Sequence, residues 1–344
     1  MISGIDLFCG VGGLTHGLIR GGVDVAAGID LDPNCRFPYE SNNKSKFIEQ
    51  DVKSLDGHSL RSLWADDAVK LLAGCAPCQS FSTYSRKYRP STSDSKWELV
   101  ADFSRLIDES SPDLVTMENV PQLADHPVFE TFLASLTGYE LWHGVIECAD
   151  YEIPQTRKRL VLLASRLGPI KMLPPPLIDE RSKPTVRKAI CHLPKLKAGQ
   201  HDNSDRMHSA CRLSALNLKR IKASKPGGSW RDWDRSLIAK CHRRRTGETY
   251  PSVYGRMEWD APSPTITTQC FGYGNGRFGH PEQNRAITLR EAAILQTFPG
   301  SYRFVPEGHV PKFSTMGMLI GNAVPVRLAE WVAASLIASL KAIK

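Results

Sequence analysis

The stretch SGIDLFCGVGGLTHG, residues 3–17, sets the expected fold. An apolar strand runs into a glycine-rich turn, and the segment from Leu14 to Ile19 has the apolar spacing of a helix. Such a strand–turn–helix unit binds nucleotides in open α/β sheets, because glycines let the backbone approach the ligand and the helix N-terminus favours negative charge. The spacing is not the G-x-G-x-x-G of dinucleotide-binding proteins, so the turn alone indicates only a broad class of ligand.

Two further strand candidates each end at a carboxylate. The strand from Val23 to Ile29 is followed by Asp30, and the strand at 47–50 is followed by Asp51. Asp30 is placed to accept hydrogen bonds from both ribose hydroxyls, and Asp51 to accept from an adenine amino group. A simpler interpretation makes Asp30 a helix cap, since Asp32 and a proline follow. Together the three strands predict a site for an adenosine-containing ligand at one edge of the sheet.

A fourth strand candidate leads into the segment GCAPCQSFS, residues 74–82. Pro77 should end this strand and leave Cys78 at its carboxyl end, where open α/β sheets place their ligands. A thiol there can act as a nucleophile if its pKa is lowered or its target is held close. Cys75 and Cys78 also form a C-x-x-C pair, which is compatible with a redox site or half of a zinc site.

The segment from Ser80 to Trp97 is long, polar and basic. A mobile surface loop has this composition, but its place directly after a candidate nucleophile favours a lid that closes on an anionic substrate. The side chains in it that we expect to contact such a substrate are Ser82, Ser85, Arg86 and Lys87.

Acidic and basic groups follow the later strands. A helix at 99–107 precedes a strand at 113–117, and Glu118 stands at the end of that strand as a capping acid or a proton donor. A strand at 141–148 is followed by Arg157 and Arg159, which alternate and would point the same way on a strand. Two such guanidinium groups could hold the polar edge of a base or a phosphate.

The proline-rich segment 166–186 indicates a domain boundary. Beyond it the chain is more basic and less regular, and two loops at 242–256 and 265–277 interleave glycine and aromatic residues with arginine. This composition suits contact with base edges and phosphates, although ordinary hairpin turns share it. A helix at 289–296 and an apolar C-terminal helix reaching about residue 340 complete the chain.

Composition narrows the class of protein. The chain has 344 residues, nine cysteines and a formal net charge of +8, with the basic excess in clusters that suggest a polyanionic partner. No export signal is visible, and we expect no apolar run to approach the length needed to span a bilayer. The cluster of Cys191, His192, His201, His208 and Cys211 matches no zinc spacing, so we expect no metal.

In order, the chain carries DLFCGVGG at 6–13, PCQ at 77–79, ENV at 118–120, QTRKR at 155–159 and GNAVP at 321–325. With this ordered set it resembles the DNA (cytosine-5) methyltransferases of the compact bacterial kind, over nearly its whole length. The resemblance implies an α/β fold, Rossmann-like, with a mostly parallel sheet that binds S-adenosylmethionine. It also implies a smaller, irregular target-recognition domain.

The resemblance implies a role for each matching residue. Cys78 would be the nucleophile, Glu118 the group at N3 of the cytosine and Arg159 the contact to its O2, with Arg157 in support. Leu31 stands where the family often has an aromatic ring over the adenine. Arg256, Thr267 and Tyr273 would lie in loops that face DNA. The expected cofactor contacts are Phe8, Gly10, Gly12, Gly13, Leu14, Asp30, Leu31, Asp51, Val52, Pro77, Asn322 and Val324.

The domains expected from this resemblance are a catalytic domain of 1–187 with 320–344, a target-recognition domain of 188–289 and a hinge of 290–319. The expected enzyme is a cytoplasmic, monomeric DNA (cytosine-5-)-methyltransferase without membrane contact. Its substrate is double-stranded DNA, and a cognate restriction endonuclease would be a functional partner rather than a physical one. The alternatives are a tRNA (cytosine-5) methyltransferase on the same scaffold, a catalytically silent nucleic-acid-binding protein, and a thiol-redox protein that depends on Cys75.

Overall fold

The computed structural model describes residues 1–77, 98–176 and 179–343, without the side chain of Arg245. Cys78 therefore lies outside the described residues. So does the predicted lid, with its expected DNA contacts Ser82, Ser85, Arg86 and Lys87.

The chain divides into two compact units. The first contains Met1–Tyr151, Lys158–Pro176 and Val324–Lys344, and the second contains Glu152–Arg157 and Leu177–Ala323. These limits differ from the expected domains, because 177–187 and the supposed hinge 290–319 both belong to the second unit. The reason is local packing: the helix that starts this hinge is fixed within the second unit by a buried ion pair, Arg285 to Glu291 at 2.7 Å.

The first unit is built on a seven-stranded sheet with the order β3-β2-β1-β4-β5-β7-β6. Strands β1 to β5 are parallel, and β7 runs antiparallel to both of its neighbours. The expected mostly parallel sheet is confirmed, and the strands are Ile2–Leu7 (β1), Asp24–Asp30 (β2), Lys46–Glu49 (β3), Val69–Gly74 (β4), Leu114–Asn119 (β5), Glu140–Glu147 (β6) and Lys158–Ser165 (β7).

Helices of the first unit are Gly13–Arg20 (α1), Arg36–Asn42 (α2), Gly57–Arg61 (α3), Glu98–Ser110 (α4), Pro127–Ser135 (α5) and Val326–Ile343 (α10). The helices of the second unit, numbered with them in chain order, are Val186–Ile190 (α6), Ala215–Ala223 (α7), Leu289–Leu295 (α8) and Phe313–Asn322 (α9).

The apolar core of the first unit lies between the sheet and its helices. Every residue of β1 is buried, and α4 contributes Phe103, which stacks on Phe132 of α5 with ring centroids 5.7 Å apart. On α1, Gly17 and Gly21 face the C-terminal helix α10 so closely that a Cβ at Gly17 would collide with the Val326 carbonyl and the Ala329 side chain. Glycine is needed there because the two backbones touch.

A buried polar chain links β1 to the helices beside it. Thr15 of α1 donates to Asp6 Oδ2 at 2.7 Å, and its hydroxyl also lies 3.2 Å from the Tyr39 hydroxyl of α2. The other carboxyl oxygen, Asp6 Oδ1, is buried without a hydrogen-bond partner among the described residues. Burial raises the pKa of Asp6 to about 7, against the hydrogen bonds from Thr15 that lower it.

The second unit has little regular structure beyond its four short helices. Its core cluster combines Ile221 of α7 with Trp230, Trp233, Val253, Tyr273 and Ala286. Around it the backbone is paired only through isolated bridges, such as Arg256 with Gly279, in the part of the chain that is described. The second unit is therefore irregular, as expected, and consists mainly of loops packed around a core rich in aromatic residues.

The segment Phe313–Ile343 is long and apolar enough to pass a length-and-composition test for a membrane-crossing helix, and half of its apolar window is buried. The expectation that no run reaches this length is therefore wrong. In the structure the segment is two helices, α9 and α10, with Ala323–Pro325 between them. A buried helix of a globular protein passes the same test, and Gly17 and Gly21 of α1 pack against α10.

Replacing Gly17 with alanine should destabilise the first unit, because the added methyl group meets backbone on α10. We expect the free energy of unfolding to fall by about 1–3 kcal/mol, measured by urea denaturation. Gly300→Ala is the control, since a Cβ there meets no atom within 4 Å, and it should stay within about 0.5 kcal/mol of the wild type. Equal stability of the two variants would contradict close packing at Gly17.

Replacing Asp6 with asparagine should change how stability depends on pH. The raised pKa of Asp6 means that the folded protein keeps a proton between about pH 4 and about pH 7 that the unfolded chain has lost. Wild-type stability should therefore fall relative to Asp6→Asn as the pH rises through this window, by up to about 4 kcal/mol, and the gap should be constant above it. Urea unfolding of both proteins from pH 4 to pH 8 measures the gap, and a gap independent of pH would contradict the assignment.

Candidate active site

The glycine-rich turn after β1 has the backbone that ligand approach requires. Gly10 and Gly12 have positive φ angles of 53° and 84°, and Phe8 is also left-handed at 59°, which is strained for a residue with a bulky side chain. A Cβ built on Gly10 would meet no atom within 4 Å, so open space lies beside the turn. The turn is therefore shaped to border a ligand rather than another part of the first unit.

The carboxylate of Asp30 is tied to this turn. Its Oδ2 accepts from the Gly10 amide and its Oδ1 from the Asp32 amide, both at 2.9 Å. Burial raises the pKa of Asp30, while the two amide donors lower it. The capping role that the sequence offered for Asp30 is instead performed by Asp32, whose side chain accepts from the Asn34 amide at 2.9 Å. The two acids thus have one role each, and Asp30 is the one beside the turn.

The other expected cofactor residues of the first unit differ in how far their side chains are exposed. Asp51 accepts from the Lys53 amide at 3.0 Å and so caps a turn, whichever further role it has. Leu31 is 63% exposed, whereas the Leu14 and Val52 side chains are buried. Phe8 and Asp30 are half-buried, Pro77 is exposed and Val324 is buried, while Gly12 and Gly13 lie at the start of α1.

Glu118 and Arg159 meet at the end of β5. Because β7 is antiparallel to β5, with Glu118 opposite Val161, the beginning of β7 lies at the same edge as the end of β5. Arg159 Nε is 2.6 Å from Glu118 Oε1, and both side chains are almost buried, at 11% and 12% exposure. Arg159 also donates to the Lys158 carbonyl at 2.7 Å. A carboxylate and a guanidinium are thus held together at the strand tip.

The chain that leads to Cys78 is fixed beside this pair. Asn119, directly after Glu118, donates from Nδ2 to the Ala76 carbonyl at 3.0 Å. Its Oδ1 accepts from the Val120 amide at 2.8 Å, so the Asn119 side chain joins both strand ends. This hydrogen bond fixes Ala76, which lies two positions before Cys78 in the sequence.

Cys75 is poorly suited to act as a thiolate. Burial raises the pKa of its thiol well above the usual value, and the nearby Glu118 carboxylate raises it further. A redox or nucleophilic cysteine needs the opposite environment, one that stabilises negative charge. The structure therefore gives no support to a thiol-redox role for Cys75.

Arg157 does not share the position of Arg159. It belongs to the second unit, where it is buried at 3% exposure and donates from Nη1 to the Ile266 carbonyl at 3.0 Å. Its Nη1 and Nη2 also approach the Gly321 carbonyl at 3.4 and 3.5 Å. Arg157 is therefore engaged with backbone carbonyls, and its expected supporting role in the catalytic set stays a prediction.

Two of the three residues expected in DNA-facing loops are core residues instead. Arg256 is 4% exposed and donates to the carbonyls of Ser224 and Ile221, among others. Tyr273 is 2% exposed, and its hydroxyl lies 2.7 Å from the Ser224 hydroxyl. Their side chains hold the loops from inside, so the prediction that they face DNA is corrected.

The remaining expected residues of the second unit are at its surface. Thr267 and Asn322 are both exposed, and Asn322 is the last residue of α9. No group of three or more His, Cys, Asp or Glu that could hold a metal ion occurs in residues 1–77, 98–176 or 179–343.

Residue-by-residue reasoning missed two groups that the structure uses. Asn119 and Gln155 both lie inside motifs quoted from the sequence, and each side chain makes two hydrogen bonds to backbone, one as donor and one as acceptor. Sequence reasoning could have selected these residues because each is an amide side chain within two positions of a charged site residue. An amide can bind a donor and an acceptor at once.

Comparison with known proteins agrees with this arrangement. The family described as C-5 cytosine-specific DNA methylase matches residues 2–338. The chain is 55% identical over 337 residues to the Type II methylase M.HgiDII of Herpetosiphon aurantiacus, covering 96% of this chain and 94% of the relative. It is 31% identical to the Type II methyltransferase M1.HphI of Haemophilus parahaemolyticus, with 96% and 85% covered.

Two solved structures share the fold. A putative DNA modification methyltransferase encoded within an E. coli prophage superposes with a TM-score of 0.74 at 22% identity, covering 99% of this chain and 100% of that chain. The S. pombe Dnmt2 methyltransferase does so with a TM-score of 0.63 at 17% identity and the same coverage. Because the family match spans almost the whole length and a relative shares more than half of its residues, the chain belongs to the C-5 cytosine-specific DNA methylase family.

Proposed function

We propose that this DNA methyltransferase attacks C6 of a flipped-out cytosine with Cys78 while Glu118 and Arg159 hold the base. The observation that carries the proposal is the Glu118–Arg159 pair at the tip of β5, beside the Asn119 tie to Ala76. A carboxyl group and a guanidinium at 2.6 Å can bind adjacent polar atoms on one edge of a pyrimidine. Cys78 follows the tied residue closely enough in sequence to share that base.

The family uses S-adenosylmethionine as methyl donor, and the residues of the first unit fit such a molecule. The open space at Gly10, the left-handed backbone of the turn and the carboxylate of Asp30 suit an adenosine with its ribose hydroxyls. When bound, this cofactor supplies a methyl group activated by a sulfonium. Asp30 would hold the ribose, Asp51 the adenine amino group and Leu31 an adenine face, with Asn322 and Val324 completing the contacts.

The residue types match the chemistry that cytosine requires. C5 of cytosine is a weak nucleophile, and addition of the Cys78 thiolate to C6 makes C5 enamine-like. Glu118 at N3 and Arg159 at O2 stabilise the charge that develops on the ring during this addition. After C5 has taken the methyl group, loss of the C5 proton and departure of the Cys78 sulfur restore the ring.

DNA binding is proposed for the second unit and for the polar segment after Cys78. Chemistry on a base requires that it leave the stacked duplex, so the enzyme must bind both the duplex and the extruded cytosine. Lys219, Lys222 and Lys225 are spaced three residues apart along and just after α7, which suits phosphate contact. Of the three residues expected in DNA-facing loops, Arg256, Thr267 and Tyr273, Thr267 is the exposed one, and the second unit would read the target site.

The biological setting is proposed from the relatives. M.HgiDII and M1.HphI are both named Type II enzymes, and we infer a role in restriction–modification, in the cytoplasm and on nucleoid DNA. We propose a monomer whose cognate endonuclease is a separate protein, with no contact to membranes. The tRNA alternative is less supported, because the matching family is that of DNA methylases and M.HgiDII is named a Type II methylase.

The experiment that tests the function is methylation of a plasmid in a host without cytosine-5 methylation. Bisulfite sequencing of every cytosine should reveal one methylated sequence context. Parallel incubation of the purified protein with labelled cofactor and either DNA or tRNA should label DNA alone. Labelling of tRNA alone would select the alternative function.

Cys78→Ser should abolish methyl transfer without loss of DNA binding, because serine lacks a nucleophile of comparable strength at neutral pH. The wild type should form a covalent adduct with 5-fluorocytosine at the target position, since fluorine blocks loss of a C5 proton. Mass spectrometry should locate this adduct on the peptide that contains Cys78. Cys75→Ser is the matched control and should retain the adduct; methyl transfer by Cys78→Ser at the wild-type rate would contradict the mechanism.

Glu118→Gln should reduce kcat on the order of 10²–10⁴-fold with little change in cofactor affinity, because the amide can still bind N3 but transfers no proton. Steady-state kinetics and cofactor titration measure the two effects. Glu147→Gln serves as control, since Glu147 pairs with Lys158 at 3.8 Å on the neighbouring strands and has no proposed contact with the base. If kcat and cofactor affinity fall equally in Glu118→Gln, Glu118 has a structural role.

A further inference from the structure

We propose that a polar cavity in the second unit binds a phosphate of the DNA backbone beside the target site, so that tight binding requires duplex that extends past the site. The inference rests on the proposed function, in which the second unit binds DNA and Thr267 contacts it. The cavity has a volume of about 750 Å³, which is within the range of sites that hold small ligands. Its two walls are the segments 203–207 and 300–310, and Arg290 of α8 lies between them.

Arg290 holds the two walls together. Its side chain is 8% exposed and pairs with Asp205 of the first wall, at 2.5 Å from Nε and 3.2 Å from Nη2. Its Nη1 donates to the Tyr302 carbonyl of the second wall at 2.9 Å, and its backbone amide donates to the Met207 carbonyl at 2.9 Å. One buried guanidinium therefore fixes the width of the cavity.

Each wall is also supported by contacts of its own. In the first wall, Asp205 Oδ1 accepts from the Met207 amide at 3.0 Å. In the second wall, Tyr302 and Phe304 are both 2% exposed and pack on Phe298, with ring centroids 4.7 and 5.2 Å away. The groups at the rim are therefore carried by fixed backbone, and a site that is already ordered pays less conformational entropy when it binds.

The charges of the lining favour an anion. Of its two acids, Asp205 is paired with Arg290, and Glu307 is exposed. In the part of the chain that the structure describes, no carboxylate forms an ion pair with Arg206. The basic side chains of the lining besides Arg290 are Arg206, Arg303 and His309. Positive charge therefore exceeds negative charge around the cavity.

The anion that we assign to the cavity is a phosphate ester of DNA, because the chain belongs to a family of DNA methylases. Arginine binds phosphate oxygens with two charge-assisted hydrogen bonds, and contacts of this kind position a duplex without reading its sequence. Val310, which is 67% exposed in the lining, adds an apolar surface on which a deoxyribose can pack. A phosphate with its adjoining sugars therefore suits both the charge and the shape of the site.

Helix α9 connects the cavity with the loop that we expect to contact DNA. The second wall ends at Val310, and α9 begins at Phe313, whose ring centroid lies 5.6 Å from that of Phe271. Near the other end of α9, a Cβ on Gly321 would collide with the backbone of Thr267. The helix between Phe313 and Gly321 is about 12 Å long, which corresponds to about three to four base pairs along DNA. The cavity is therefore far enough from Thr267 to contact the flank of a short target site.

The dependence of affinity on duplex length tests the proposal. Fluorescence anisotropy of the full-length protein compares two duplexes that carry the site found by bisulfite sequencing, with about three and about twelve flanking base pairs on each side. We expect the longer duplex to bind about three- to tenfold more tightly, because only the longer duplex reaches the cavity. Equal affinity for the two duplexes would overturn the inference.

Arg206→Gln removes the proposed phosphate contact. The ratio of the two affinities should then fall to within about twofold of one, and the slope of log K against log salt concentration for the longer duplex should become shallower by about one. Arg206→Lys should recover most of the ratio, because an ammonium group also binds phosphate. A wild-type ratio in Arg206→Gln would overturn the site.

Arg212→Gln is the matched control, because Arg212 is an exposed arginine of the same unit that does not line the cavity. It should retain the wild-type ratio of affinities. Glu307→Gln removes the exposed acid of the lining and should raise the ratio by about twofold, because a like charge beside a phosphate weakens binding. A ratio that is lost in Arg212→Gln, or not raised in Glu307→Gln, would overturn the assignment.

Hydrogen exchange of the wild type tests the same site without any substitution. The longer duplex should slow exchange in peptides that cover residues 203–207 and 300–310, and the shorter duplex should not. Protection of these peptides by thymidine monophosphate but not by the longer duplex would indicate a site for free nucleotides and overturn the flanking contact.

Methyl transfer by the wild-type preparation separates the two levels of failure. Absence of transfer to any DNA rejects the proposed function. Normal transfer together with an affinity that does not depend on duplex length rejects the flanking site alone.

Discussion

The antiparallel direction of β7 is the constraint on which the sheet edge with Glu118 and Arg159 depends. In a wholly parallel sheet only the carboxyl ends of strands meet at this edge, so each strand contributes only its last residues and the loop after it. Because β7 runs antiparallel to β5, its beginning meets the end of β5, and Arg159 reaches Glu118 at 2.6 Å. The interaction takes two almost buried side chains from residues 41 positions apart in the sequence. Such a pair is costly to bury without good geometry, and it brings opposite charges together at the tip of β5.

Much of this arrangement could be predicted from the chain. Strands β1, β2, β4 and β5 are short and mainly apolar, and the expected site residues lie at or just after the strand ends. Their meeting at one edge therefore needed only the rule for parallel strands. Asp30 could be assigned two roles from sequence; in the structure the Asp32 side chain accepts from the Asn34 amide as a cap, and Asp30 accepts from the amides of Gly10 and Asp32. The direction of β7 could not be predicted from its hydrophobic periodicity, because side chains alternate in the same way along parallel and antiparallel strands.

The second unit shows where such reasoning fails and why. Arg256 and Tyr273 lie in glycine-rich loops, and exposed arginine and tyrosine are common in surfaces that bind nucleic acid. Yet loops without regular pairing need their own internal support, and here both side chains bond to the Ser224 region instead. Arg157 and Arg159 are two positions apart and look equivalent in sequence. Their partners, backbone carbonyls for one and a carboxylate for the other, give them different roles.

The packing of α10 on α1 has a consequence for synthesis of the chain. Gly17 and Gly21 leave the ribosome long before Ala329 and Ala333, which cover them. Nascent α1 therefore lacks its packing partner α10 until the second unit has been translated. A prematurely terminated product would leave the face of α1 that carries Gly17 uncovered, and transiently exposed apolar surface favours aggregation and degradation. The first unit is thereby completed only after the second unit has been made.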